Sequence, residues 1–116
     1  MASPVAPPAA PPPVDSGLIE HLEARYKARL KAAIEAHKRY PRRARRLGQQ
    51  GQIIVRFVVD HNGVINAVEV VQSSGFKRLD QAAIETIRSI SGQLPFPEEI
   101  PRKHWTFRIP ITYRLR

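Results

Sequence analysis

Two apolar segments rich in valine and isoleucine, separated by a short polar turn, constrain the fold more than any other part of the chain. The turn contains Asn62-Gly63, a pair that supplies the positive φ angles of a tight β-hairpin. Alternation directs one set of side chains in the first strand to a single face: Ile53, Val55, Phe57 and Val59. In the second strand the spacing between Ile65 and Val68 is uneven, which predicts a β-bulge. Residues 51–75 are therefore predicted to form the hairpin around which the rest of the chain folds.

The apolar face of this hairpin needs a cover, because a two-stranded hairpin is only marginally stable in water. Apolar residues recur at helical spacing from Leu18 to Arg39, and the helix is expected to end there because Pro41 forces Tyr40 out of helical angles. A second helix is predicted over Leu79–Ile90. Each helix presents an apolar stripe that can pack against the hairpin.

The carboxy-terminal segment alternates apolar and polar residues from Trp105 to Leu115, which predicts a third strand. Pro110 has no amide hydrogen, so this strand is expected at an edge of the sheet. The predicted fold class is α+β: a three-stranded antiparallel sheet packed by helices, with an additional long N-terminal helix. Three segments are predicted in chain order, namely a proline-rich disordered spacer, a charged amphipathic helix and the folded domain, at residues 1–16, 17–39 and 40–116.

Composition excludes several classes of protein. The chain has 19 basic and 10 acidic residues, a net charge of +9, and no cysteine, so disulfides and thiolate chemistry are ruled out. No apolar run approaches the roughly 20 residues of a membrane helix. The sequence as given is therefore expected to be soluble, whether or not a longer protein contains it.

Residues suited to catalysis or metal binding do not occur at characteristic spacings. The four histidines lie far apart in the sequence, at His21, His37, His61 and His104. No glycine-rich phosphate loop and no converging pair of carboxylates is recognisable. Ser73-Ser74-Gly75 is typical of a turn, and no base is placed beside either serine. The sequence therefore predicts no catalytic residue, no metal site, no cofactor and no enzymatic activity.

Two surfaces remain as candidates for binding. The basic cluster at residues 38–46 has the charge to contact phosphates or lipid head groups, although such charged turns often serve only solubility. Tyr40 is its one aromatic residue, which argues against a stacking platform for single-stranded nucleic acid. The second surface is the edge of the last strand. Either Arg108, Pro110 and Arg114 blunt this edge against aggregation, or the edge accepts an extended peptide as an added strand.

Five short motifs in a fixed order resemble the TonB carboxy-terminal domain family. In chain order they are Tyr40-Pro41-x-x-Ala44, Gly51-x-Ile53-x-Val55-x-Phe57-x-Val59, Gly63-x-Ile65-x-x-Val68-x-Val70-x-x-Ser73-Ser74-Gly75, Leu79-Asp80-x-Ala82-Ala83 and Phe107-x-Ile109-Pro110-Ile111-x-Tyr113-x-Leu115. Each motif alone is weak, but together they cover about residues 38–116 and are specific. The proline-rich start is similar to the spacer that such proteins carry between an inner-membrane helix and this domain.

The resemblance implies a periplasmic energy transducer, anchored to the inner membrane in the full-length protein and driven by a proton-powered motor of ExbB and ExbD type. Such proteins bind the TonB box, a short segment of TonB-dependent outer-membrane receptors that import iron chelates, haem or cobalamin. The resemblance implies that the box adds as a strand beside the last strand, at Trp105, Thr106, Phe107, Arg108, Ile109, Pro110, Ile111, Thr112 and Tyr113. It implies that the receptor plug contacts the segment of His37, Lys38, Arg39, Tyr40, Pro41 and Arg42.

Some alternatives stay open at the level of sequence. Before Tyr40 this chain has the charged helix where enterobacterial members have a polar, proline-containing stretch, and that helix can pack on the sheet, dimerise or bind a partner. The domain is expected to be a monomer or a strand-exchanged dimer, and a specialised paralogue dedicated to one receptor, as in haem uptake, also fits. The competing class is a basic α+β module that binds nucleic acid or an anionic envelope polymer, whereas the resemblance predicts no nucleic-acid partner.

Overall fold

The computed structural model describes residues 16–115, so the predicted proline-rich spacer lies outside the described residues except at its last position. The elements in chain order are α1 (Ser16–His37), α2 (Arg42–Arg46), β1 (Gly51–Asp60), β2 (Ile65–Gln72), α3 (Lys77–Ser89) and β3 (His104–Tyr113). The strands form one antiparallel sheet in the order β2-β1-β3. The predicted α+β class and the long N-terminal helix are confirmed. The three predicted segment boundaries stay a prediction.

The turn between β1 and β2 is built on the carboxylate of Asp60. Its Oδ1 accepts hydrogen bonds from the backbone N–H of Asn62 at 2.9 Å and of Val64 at 3.0 Å. Gly63 has a φ of +85°, as predicted, and its N–H donates to the Asp60 carbonyl at 2.9 Å, whereas Asn62 does not take the positive φ that the sequence also predicted. A side chain that bonds the backbone two residues further along is a common way to close a turn, and here it sets the hairpin.

Gly63 also lies against the loop that follows α3, where an added Cβ would be 2.8 Å from the carbonyl carbon of Leu94. Gly92 has the same φ of +85° but no atom within 4 Å of the corresponding position. We expect Gly92→Ala to lower the free energy of unfolding by about 1 kcal/mol, the cost of left-handed backbone alone. Gly63→Ala should lose about 3 kcal/mol, because a steric clash is added. Urea denaturation of both variants tests this, and equal losses would contradict it.

β2 contains the predicted bulge. Ala67 has a φ of +55°, and the register with β1 shifts between Arg56 and Val58. The bulge lies in the unevenly spaced stretch between Ile65 and Val68, both of which are half-buried against the core. An extra residue in one strand interrupts the ladder and increases the local twist. β2 is therefore the irregular member of the sheet.

α1 covers one face of the sheet with three buried residues spaced one helical turn apart, Tyr26, Leu30 and Ile34. They belong to the same core as the inward side chains of β1. The Tyr26 hydroxyl donates a hydrogen bond to the carbonyl of Leu94 at 2.6 Å. Of the alternatives left open by the sequence, the structure therefore shows the helix packed within the domain.

The end of α1 differs slightly from the prediction. The helix ends at His37 rather than at Arg39. The reason is that the next residues are held by β3: the Lys38 ammonium donates to the carbonyl of Thr112 at 2.6 Å, and Tyr40 packs on Tyr113. Tertiary contacts thus end the helix before Pro41 would.

α3 covers the neighbouring part of the same face through residues that include Leu79 and Ile87. Asp80, in its first turn, accepts hydrogen bonds from the Ser73 and Ser74 hydroxyls and from the Ser74 N–H at 3.0 Å. Burial acts to raise the pKa of Asp80, but these hydrogen bonds outweigh burial and hold the pKa below its ordinary value. The ionised carboxylate thereby fastens the Ser-Ser-Gly turn to the helix.

The loop between α3 and β3 belongs to the core, although three prolines prevent regular structure. Phe96 and Ile100 are buried, and the Phe96 ring meets Tyr26 edge-on with centroids 5.1 Å apart. The Phe96 N–H also donates to the carbonyl of His61 at 3.0 Å. The loop therefore joins α1 to the hairpin turn and delivers the chain to the start of β3.

Candidate peptide-binding edge

β3 is an edge strand, as Pro110 predicted, and it is the regular edge of the sheet. Its register with β1 runs without a shift from the Gly51–Tyr113 pair to the Asp60–His104 pair. β2 forms the other edge, but the bulge at Ala67 interrupts its ladder. Bulges protect an edge against pairing with another chain, whereas a long regular edge is a template for it. The sheet therefore offers β3 as its better surface for strand addition.

Backbone groups along β3 point alternately toward β1 and toward the free edge. Pro110 has no N–H to give, and the Thr112 carbonyl accepts its hydrogen bond from Lys38 rather than from β1. The odd-numbered residues are the ones that bond to β1. This is shown at Lys103, whose carbonyl accepts a hydrogen bond at 3.0 Å from the N–H of His61, the residue that directly follows β1. The residues that direct their N–H and C=O to the free edge are thus His104, Thr106, Arg108, Pro110 and Thr112, with the N–H absent at the proline.

Side chains of β3 alternate in the same way. The odd-numbered residues that point into the core are Phe107, Ile109, Ile111 and Tyr113. Thr106, Arg108 and Pro110 are exposed on the open face of the sheet. The structure thus divides the nine residues predicted for this site: those facing the core hold the strand in place, and those between them direct their backbone groups to the free edge, where Lys38 occupies the Thr112 carbonyl.

Trp105 stands at the amino-terminal end of this edge between two cations. The Arg102 guanidinium lies 4.5 Å from its ring centroid and the Lys27 ammonium lies 5.9 Å from it. The same ring stacks on Tyr26 at 5.8 Å. Cation–π contacts of this kind help to fix the ring in its half-buried position.

The segment predicted to contact a receptor plug lies at the other end of the edge. His37 ends α1, Arg39 is exposed, and Arg42 begins α2 as an exposed residue. The Tyr40 hydroxyl donates to the carbonyl of Gln49, and its ring meets Tyr113 edge-on at 5.2 Å. Tyr40 is therefore partly structural, since it attaches this segment to the end of β3.

Lys38 connects the two predicted sets of residues. Its ammonium donates to the Thr112 carbonyl at 2.6 Å, pairs with the Glu35 carboxylate at 3.2 Å and lies 5.6 Å from the Tyr113 ring centroid. The carbonyl that it occupies is one of those directed to the free edge. The structure therefore brings the edge strand and the segment of residues 37–42 into direct contact.

A cleft of about 410 Å³ opens beside this segment, between the end of α1 and α3. Its lining includes His37, Arg39 and Pro41 on one side and Glu85 and Thr86 on the other. Near the cleft, burial raises the pKa of the Tyr113 phenol; Thr86 acts to lower this pKa, and the carboxylates of Glu35 and Glu85 raise it to a lesser extent. The predicted plug-contacting residues His37, Arg39 and Pro41 thus line a recess of the surface.

A second recess was not foreseen from the sequence. A groove of about 190 Å³ runs between α1 and the edge of β3, lined by Lys27, Lys31 and the backbone-presenting stretch 105–109. The sequence did contain a signal, because Lys27 and Lys31 are four residues apart and directly follow the buried positions Tyr26 and Leu30. What it lacked was the position of α1 relative to β3.

Among residues 16–115, no group of three or more histidine, cysteine or acidic side chains is arranged to hold a metal ion. None of the helices in that range combines the length and the apolar character that crossing a membrane requires.

Comparison with known proteins places this fold in a class. A model of the family described as "Gram-negative bacterial TonB protein C-terminal" matches residues 36–115. The chain belongs to the TonB carboxy-terminal domain family. The members of this family are non-enzymatic, and the chain is accordingly not an enzyme.

Individual relatives agree. Protein TonB of Pasteurella multocida is 34% identical over 82 residues, which are 71% of this chain and 31% of that protein. Protein TonB of Helicobacter pylori is 34% identical over 83 residues, 72% of this chain and 28% of that protein. The chain thus spans about a third of the length of these curated relatives.

Solved structures show that the likeness includes α1. The NMR solution structure of the Helicobacter pylori TonB carboxy-terminal domain superposes with a TM-score of 0.70 at 26% identity, covering 90% of this chain and 98% of that one. A match over 90% of the chain takes in most of α1, nearly all of which precedes the family match. The HasB carboxy-terminal domain superposes with a TM-score of 0.53 at 28% identity, covering 93% of this chain and 92% of that one.

Proposed function

We propose that this chain is the periplasmic domain of a TonB-type energy transducer, and that it binds the TonB box of an outer-membrane receptor as a strand added to β3. One observation carries the proposal: β3 is a regular edge strand whose alternate N–H and C=O groups lack a strand partner. Main-chain pairing gives affinity for an extended peptide, and neighbouring side chains set its preference. The residues concerned are Trp105–Tyr113.

We propose a second contact between the receptor plug and residues 37–42. The exposed cations Arg39 and Arg42 and the cleft beside α3 support it, because they lie next to the carboxy-terminal end of the same edge. Arg43, Arg45 and Arg46 extend this basic surface along α2. A plug with acidic residues would complement it, and such contacts raise the association rate more than the final affinity.

In the full-length protein this domain would be joined to an inner-membrane anchor and driven by an ExbB/ExbD-type motor. The coupled process would be uptake of iron chelates, haem or cobalamin through the receptor. A strand paired along its length shares a pulling load over several hydrogen bonds, which suits the transmission of force. The same free edge can pair with a second copy, so a strand-exchanged dimer would compete with the receptor peptide.

A basic module for nucleic acid or an anionic envelope polymer is the alternative, favoured by the arginines of α2. Arg42, Arg43, Arg45 and Arg46 are all exposed, and none of them belongs to an ion pair within residues 16–115. Binding of that kind would weaken steeply with salt and show no preference among peptides.

An NMR titration of the isotope-labelled chain decides between the two functions. A synthetic TonB-box peptide and a short DNA duplex are added to separate samples. We expect the peptide to shift amides of Thr106, Arg108 and Thr112 most, because these N–H groups point to the free edge. Shifts confined to residues 38–46, with DNA and without a response to peptide, would leave the fold assignment standing and overturn the function.

A further inference from the structure

The groove between α1 and the edge of β3 is the strongest unexplained feature of the surface. α1 runs along β3 in the same direction, because Lys27 lies over the Trp105 ring while Lys38 reaches the Thr112 carbonyl. A strand added to β3 would lie about 4.8 Å from it, within this groove. The added strand would therefore have β3 beside it and α1 against one of its faces.

Lys27 and Lys31 supply the charge of the groove. Within residues 16–115 the ion pairs join Lys38 to Glu35, Arg56 to Glu69 and Arg102 to Glu23, and the two groove lysines take part in none. No carboxylate lines the groove. The positions of both lysines are set by their buried neighbours on α1, Tyr26 and Leu30, so the charges are held beside the edge.

The spacing of these lysines matches that of a strand. Residues four apart on a helix are separated by about 6 Å along its axis. Residues two apart on a strand are separated by about 6.6 Å and point to the same face. Two side chains at alternate positions of an added strand, on the face turned toward α1, would therefore come opposite Lys27 and Lys31.

We propose that α1 is the second wall of the binding site, and that Lys27 and Lys31 select an extended peptide with acidic side chains at two alternate positions. The proposal rests on the proposed function, because it assumes strand addition to β3. It assigns to α1 a role in choosing the receptor: main-chain pairing accepts many sequences, and the two ammonium groups discriminate among them.

The test uses the full chain and two seven-residue peptides that differ only at positions 3 and 5, with glutamate in one and glutamine in the other. Affinities are measured by isothermal titration calorimetry at low and high salt. We expect the glutamate peptide to bind about fivefold more tightly at low salt, as two exposed charge pairs allow. The preference should largely vanish near 1 M salt, where charges are screened within about 3 Å.

Charge reversal provides the matched variants. Lys27→Glu combined with Lys31→Glu should invert the preference, so that the glutamine peptide binds more tightly. Lys77→Glu combined with Arg78→Glu changes the net charge by the same amount at exposed positions of α3 and should keep the original preference. Circular dichroism confirms that each variant remains folded.

The outcomes separate the two proposals. Equal binding of both peptides to the parent chain would overturn the selection by lysines and leave strand addition intact. If the α3 variant also inverted the preference between the two peptides, the selection by lysines would be overturned as well, since net charge alone would then explain the preference. Failure of both peptides, and of a TonB-box peptide, to shift the β3 amides would overturn the proposed function and the selection with it.

Discussion

Replacing Arg108 by proline is expected to weaken binding of a TonB-box peptide at least tenfold while leaving the domain folded. The Arg108 N–H points to the free edge, so its loss costs no hydrogen bond to β1, and the strand already tolerates a proline at the neighbouring outward position, Pro110. The incoming strand would lose one donor and meet the proline ring. The loss of about 1 kcal/mol for the hydrogen bond is increased by that steric conflict.

Two matched variants isolate the cause. Arg108→Ala removes the side chain and keeps the N–H, so it should change peptide affinity less than threefold. Ile109→Pro removes an N–H that points to β1 and a buried side chain, and should destabilise the domain by about 3 kcal/mol or more. Affinity is measured by calorimetry and folding by thermal denaturation. If folded Arg108→Pro binds the peptide like the parent chain, strand addition at β3 is wrong.

Replacing Tyr26 by alanine is expected to cause the largest loss of stability from a single side chain of α1, about 3–5 kcal/mol. Tyr26 is 2% exposed, and its ring contacts Phe96, Trp105 and Phe107 with centroid distances of 5.1, 5.8 and 6.0 Å. Because these partners belong to the proline-rich loop and to β3, the loss should appear as undocking of α1. Chemical denaturation gives the magnitude, and amide hydrogen exchange in α1 gives the location.

Tyr26→Phe is the control for this experiment. It keeps the ring and removes the hydrogen bond to the Leu94 carbonyl, so we expect a loss of only about 1–2 kcal/mol. If alanine and phenylalanine destabilise equally, the hydroxyl and not the aromatic packing holds α1. If amide hydrogen exchange in α1 is unchanged in the Tyr26→Ala variant, other residues hold the helix on the domain.

Because of Tyr26, we also expect the domain to lose stability at alkaline pH. Burial raises the pKa of Tyr26 to about 12; Arg29 lowers it and Asp60 raises it to a lesser extent. The folded pKa lies above the ordinary value of 10.0, so the unfolded chain releases this proton first. The stabilisation is complete below pH 10 and is lost as the pH rises toward 12. Tyr26→Phe should flatten this part of the stability profile, although Tyr113, whose pKa is also raised, keeps part of the slope.

The hairpin, the helices and the bulge could be predicted from the sequence because their signals are local. Alternation from Ile53 to Val59 defines a buried face wherever the strand is placed, and Asn62-Gly63 specifies the turn by its own conformational freedom. The uneven spacing before Val68 likewise reports a bulge without reference to other elements. Family membership followed from the order of such local motifs.

The geometry of the site depends on long-range packing and could be predicted only in part. Pro110 indicated an edge strand by its own chemistry, but which residues face outward depends on the register with β1. The apolar stripe of α1 predicted that one face of the helix is buried, but it did not predict which surface of the domain covers that face. Its position beside β3 is decided by Phe96 and Trp105, which lie 70 and 79 residues after Tyr26 in the chain. The groove at Lys27 and Lys31 could not be found before that position was known.

The bond from Lys38 to the Thr112 carbonyl would link the two proposed contact surfaces thermodynamically. An added strand that pairs at Thr112 must displace the ammonium group, and a plug carboxylate that draws the ammonium away vacates the same carbonyl. Linkage is reciprocal, so each proposed partner would raise the affinity of the domain for the other by the same factor. A receptor that offers both its box and its plug would therefore be bound more tightly than the two separate affinities imply.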